Sequence, residues 1–61
     1  MNRKRLLRKP LVLEITGLTN STLYYFIKEG TFPSPVKLGK RTVAWKADEI
    51  DEWIDSREVA K

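Results

Sequence analysis

Apolar positions along this 61-residue chain fall into short groups with two different spacings. Leu11, Val12 and Ile15 recur three and four residues apart, the period of a helix with one buried face. Pro10 is tolerated in a first helical turn, where its missing N–H has no partner to lose. Gly17 is a natural stop, so the spacing predicts a helix over 9–16. Leu23, Phe26 and Ile27 repeat the pattern between Thr19, a good N-cap, and Gly30, a good terminator, predicting a second helix over 20–29. Leu18 then reads as a buried turn residue. Val36-Lys37-Leu38 and Thr42-Val43-Ala44-Trp45 change to a β-like pattern around the turn Gly39-Lys40-Arg41. Ile50, Trp53 and Ile54 return to helical spacing and predict a third helix over 47–58. Asp48 and Glu49 in its first turn oppose the helix dipole favourably.

Only Gly17, Leu18 and Thr19 separate the first two helices, the signature of a helix-turn-helix. Pro33 and Pro35 deny helix to the following segment, which Phe32 is expected to anchor. An isolated hairpin is marginal in water, so the strands must pack on the helices through Val36, Leu38, Val43 or Trp45. The expected fold class is α+β: a small winged helix-turn-helix of three helices plus a two-stranded β-hairpin wing. Residues 1–8 read as a basic N-terminal arm, its end pinned by Leu6 and Leu7, and residues 9–58 as the folded domain. In so short a chain Trp45 and Trp53 are needed as core.

Composition narrows the chemistry. There is no Cys and no His. That excludes disulfide staples, thiolate and imidazole metal sites, Cys nucleophiles and His bases. No Gly-rich phosphate loop is present, and Ser and Thr have no base beside them. An enzyme is therefore not expected, and neither is a cofactor or a metal. The carboxylates of the third helix read as a solvated face. No run reaches the roughly 20 apolar residues of a membrane span, and the absence of bridges fits a cytoplasmic location.

Charge is unevenly distributed about the net +4. Residues 1–46 hold ten Lys/Arg against two acids, Glu14 and Glu29, whereas residues 47–61 hold Arg57 and Lys61 against six acids. A largely positive fold with an acidic last helix points to a polyanion partner. The polar face of the second helix, carrying Asn20, Ser21, Thr22, Tyr24, Tyr25 and Lys28, has the dimensions and donors to enter a DNA major groove. In the wing, Lys37, Lys40 and Arg41 are placed to reach the backbone or the minor groove. Arg3, Lys4 and Arg5 of the arm are further candidates for phosphate contact.

The run Val12-Leu13-Glu14-Ile15-Thr16-Gly17-Leu18-Thr19-Asn20-Ser21-Thr22-Leu23-Tyr24, with Ile27-Lys28-Glu29-Gly30, resembles the AlpA family of small prophage regulators. So do Phe32-Pro33-Ser34-Pro35-Val36-Lys37-Leu38-Gly39 and Trp45-Lys46 before Ile50-Asp51-Glu52-Trp53-Ile54. The similarity covers about residues 8–56. It implies a MerR-type winged helix-turn-helix, with Ser21, Thr22, Tyr24, Tyr25 and Lys28 in the major groove and Lys40 and Arg41 in the wing. Family members commonly carry a basic residue where Asn20 stands, and often another where Tyr25 stands. Their loss here implies a different operator or greater reliance on arm and wing.

The function this resemblance implies is that of an excisionase, or recombination directionality factor, which binds and bends attachment-site DNA and directs a tyrosine integrase towards excision. The expected partners are double-stranded DNA, that integrase and neighbouring protomers on the DNA, with a monomer in free solution. Two alternatives stay open. One is a transcriptional regulator of a phage or integrase promoter, and the other an inhibitor that binds a signalling protein through the acidic helix or the arm.

Overall fold

The computed structural model describes residues 4–58. The element order is β1 (Leu6–Leu7), α1 (Lys9–Thr16), α2 (Asn20–Glu29), β2 (Val36–Lys37), β3 (Val43–Lys46) and α3 (Ala47–Asp55). It is the α+β helix-turn-helix-plus-hairpin arrangement expected, with one strand more. The sheet has three antiparallel strands in the order β1-β3-β2. Leu6 pairs with Lys46 and Leu7 with Trp45, while Val36 pairs with Ala44 and Lys37 with Val43. The wing is thus not a bare two-stranded hairpin. Its long strand is held on both sides, and the segment read as an arm supplies the second edge.

Local chemistry accounts for the helix boundaries. The φ angles of Gly17 and Gly30 are 74° and 80°, a left-handed backbone that a side chain makes unfavourable. Each glycine turns its N–H back onto the helix it ends, Gly17 onto Leu13 O and Gly30 onto Ile27 O. At the start of α2 the Thr22 N–H donates to Thr19 Oγ1 at 3.2 Å. Thr19→Ala should therefore lower stability by about 1 kcal/mol, and the melting temperature by roughly 4–8 °C, measured by circular dichroism. Helix α3 ends at Asp55, short of the expected Glu58. There the Ser56 hydroxyl and the Arg57 Nε–H both donate to Trp53 O, which closes the last turn.

One core unites these elements. Leu7, Val12, Leu23, Phe32, Trp45 and Ile50 form its centre, one each from β1, α1, α2, the loop after α2, β3 and α3. Leu11, Leu13, Leu18, Phe26, Ile27, Val43, Ala47 and Trp53 pack around them. Leu6, Ile15, Leu38 and Ile54, expected to be apolar contacts, are exposed instead. Trp45 is fully buried, and its indole N–H donates to Pro33 O at 2.9 Å. Trp53 is half-buried, edge-on to Phe32 with ring centroids 4.8 Å apart, and its N–H donates to Thr31 O at 2.7 Å. The two indoles thus fasten the loop between α2 and β2 to the core.

Candidate nucleic-acid interface

The apolar stripe of α2 decides what its other side presents. With Leu23 buried and Phe26 and Ile27 half-buried, the opposite face carries Asn20, Ser21, Tyr24, Tyr25 and Lys28, all exposed. At 100° per residue these five positions are contiguous on the helix surface. Tyr24 and Tyr25 are 43% and 58% exposed. Two large aromatic rings side by side in solvent are unusual unless something covers them. Their phenol groups offer hydrogen bonds, and their rings offer flat apolar contact.

Thr22 falls off this stripe. It is half-buried, and its hydroxyl oxygen accepts from Thr19 Oγ1 at 2.9 Å. Its side chain builds the helix start rather than the polar face. With the Thr22 N–H taken by Thr19 Oγ1, that start still presents the Asn20 and Ser21 N–H groups, of the kind that attract a phosphate.

Lys9 was not among the candidates read from sequence. Its ammonium lies 5.3 Å from the centre of the Tyr24 ring, within reach of a cation–π attraction. The first residue of α1 therefore adds a positive charge beside the α2 face. Nothing in the periodicity around Lys9 marks it, because the contact joins two helices across their turn.

At the wing the Leu38 and Gly39 N–H groups both donate to Thr42 O, at 2.7 and 3.2 Å. Lys40 and Arg41 are held between them at the tip, exposed. No residue of the tip has a positive φ, so the turn is not of the I′ type. Lys37 is exposed on β2, opposite Val43.

The arm candidates are placed differently. Arg3 lies outside the described residues. Lys4 and Arg5 are exposed at the other end of the sheet from the tip, beside Lys46 and the start of α3. The Arg5 carbonyl accepts the Ala47 N–H at 2.9 Å and so ties this segment to α3. The structure thus brings together Asn20, Ser21, Tyr24, Tyr25 and Lys28 on one face, groups Lys40 and Arg41 at a second point, and sets Lys4 and Arg5 apart.

Among the described residues no helix is long and apolar enough to cross a membrane. No group of three or more His, Cys, Asp or Glu among them is placed to hold a metal ion.

Comparison with known proteins agrees with this architecture. The family described as Prophage CP4-57 regulatory protein (AlpA) matches residues 5–58. An uncharacterized protein, ORF88, of Enterobacteria phage P4 is 40% identical over 57 residues, covering 93% of this chain and 65% of the phage protein. The DNA-binding transcriptional activator AlpA of Escherichia coli K12 is 37% identical over 59 residues, covering 87% of this chain and 84% of that activator. A match over nearly all the described residues, with two relatives above a third identical, is family membership: the chain belongs to the AlpA family of prophage regulatory proteins.

Proposed function

We propose that this chain is a sequence-reading DNA-binding regulator of a prophage or related mobile element. The observation that carries the reading is the exposed stripe Asn20, Ser21, Tyr24, Tyr25 and Lys28 on the second helix of a helix-turn-helix. Helix α2 enters the major groove. Its first turn meets a phosphate, and Tyr24, Tyr25 and Lys28 face the base edges and thymine methyls. Lys40 and Arg41 neutralise phosphates or enter the minor groove beside it. Lys9 supports Tyr24 from behind and adds charge at the groove edge.

Two outcomes of such binding remain to be separated. Activation of a promoter is favoured by the E. coli relative, which carries that description. Excision, in which bent attachment-site DNA and an integrase complete the machinery, is the reading the wider family resemblance supports. Both use the same protein surface. Expression of the chain beside a promoter fusion and beside an integrase with its attachment ends distinguishes them.

The binding itself is tested by selecting preferred duplexes from a random pool and titrating them against random duplex. Tyr24→Ala and Lys28→Ala should each reduce the preference for the selected sequence by about 1–3 kcal/mol if they read bases, with a smaller loss on random duplex. Equal losses on both duplexes would remove α2 from the groove.

A further inference from the structure

Helix α3 is flanked by two clefts of opposite charge. One is lined by Lys4, Arg5, Leu6, Lys46 and Asp48, so that three cations face a single carboxylate. The other is lined by Pro33, Glu49, Glu52, Trp53 and Ser56, so that two carboxylates and an indole face it, with Arg57 against the same ring as its one neighbouring cation. Glu49, Glu52, Trp53 and Ser56 are spaced at three and four residues, so they share one side of the helix, while Asp48 turns toward the other cleft. Neither cleft includes a residue of α2 or of the wing tip.

The acidic cleft has the chemistry that takes a Lys or Arg side chain: an aromatic ring with carboxylates at its rim. The molecule already shows this at the same indole. The Arg57 guanidinium lies 4.6 Å from the centre of the Trp53 ring. The basic cleft offers exposed cations: Lys4 and Arg5 lie just before β1, held there by the Arg5 O bond to Ala47 and the Leu6–Lys46 pair.

We propose that these two clefts are the halves of one head-to-tail contact between copies of this chain: Lys4 and Arg5 of one protomer dock into the Glu49–Glu52–Trp53 cleft of the next. Charge complementarity selects the occupant, because each cleft is the electrostatic counterpart of the other. The two halves are different surfaces, so the contact is heterologous, and each added copy leaves one cleft of each sign free for another. Association is weak and salt-sensitive in free solution. It is strengthened where copies are held side by side on a common duplex. The contact does not depend on the DNA-binding reading, since it joins surfaces outside the proposed groove-reading residues.

The test is an amide-proton NMR dilution series at low salt, from micromolar to millimolar protein, with the Trp53 indole N–H as a reporter. Wild type should show concentration-dependent shifts confined to the two clefts and abolished by high salt. Lys4→Glu with Arg5→Glu, and separately Glu49→Lys with Glu52→Lys, should each lose them. All four side chains are exposed, and the spectra themselves report that the fold is kept. Mixing the two reversed variants should restore the shifts, because each then meets a cleft of opposite sign. Concentration-independent wild-type spectra, or a mixture that restores nothing, would overturn the proposal. So would a Trp53 cleft that responds to an added arginine-rich peptide but not to a second copy, which would assign it to another protein.

Discussion

Trp45→Ala should leave the chain without a cooperative thermal transition. Domains are stable by roughly 0.05–0.15 kcal/mol per residue, or about 3–9 kcal/mol for a chain of this length. Emptying a fully buried Trp site costs about 3–5 kcal/mol. The lost indole N–H also leaves Pro33 O without its donor, worth about 1 kcal/mol more. The sum matches most of the available stability. Trp45 is also the residue that Leu7 pairs with across the sheet, so its loss loosens β1 along with the core. Trp45→Phe separates the two contributions: it keeps much of the ring and should still melt cooperatively, at a lower temperature. Far-UV circular dichroism on both variants decides it, and a near-native melt for Trp45→Ala would mean that the core is not organised around this ring.

The second large effect is on binding. Lys40→Ala combined with Arg41→Ala should reduce the slope of log affinity against log salt by about 1.8, because each neutralised phosphate contributes about 0.9 on duplex DNA. At physiological salt that corresponds to about a thirtyfold loss of affinity, nearly equal on selected and random sequence. Arg41→Ala alone should flatten the slope by about one unit. Both side chains are exposed at a turn held by backbone hydrogen bonds to Thr42 O, so stability should not change measurably. Fluorescence anisotropy over a salt series reads the result. An unchanged slope would place the tip away from the duplex. The contrast with Tyr24 and Lys28 separates general attraction from sequence reading.

Much of this architecture is legible in the residues because local signals agreed with tertiary demand. Pro10, Gly17, Thr19 and Gly30 mark the ends of α1 and α2, and these boundaries coincide with those observed. Where information is not local, the reading falls short. β1 is two residues long within a basic run, too short to show alternation, and exists because Leu7 completes the core beside Trp45. Helix α3 stops at Asp55 because Ser56 and Arg57 satisfy the Trp53 carbonyl, a hydrogen-bonding detail that hydrophobic spacing does not carry. At the candidate interface, the polarity of α2 identifies its outer face. It does not reveal that Thr22 is diverted to the cap or that Lys9 reaches Tyr24 from another helix. Nor does position in sequence show that Lys4 and Arg5 stand beside α3, since only strand pairing puts them there.

The loop joining α2 to β2 is stitched to the core at two points of its short span, by one indole at Thr31 and another at Pro33. It therefore lacks the freedom of a hinge. The span between the outer face of α2 and the hairpin tip behaves as the opening of a fixed calliper. If a duplex meets both α2 and the tip, as proposed, it must match that opening or be bent to it. Deforming a site by 40–90° takes on the order of 1–6 kcal/mol, depending on its base steps. Two indole N–H groups that never touch a nucleotide would thus help choose the operator, by making flexible DNA easier to hold than stiff DNA.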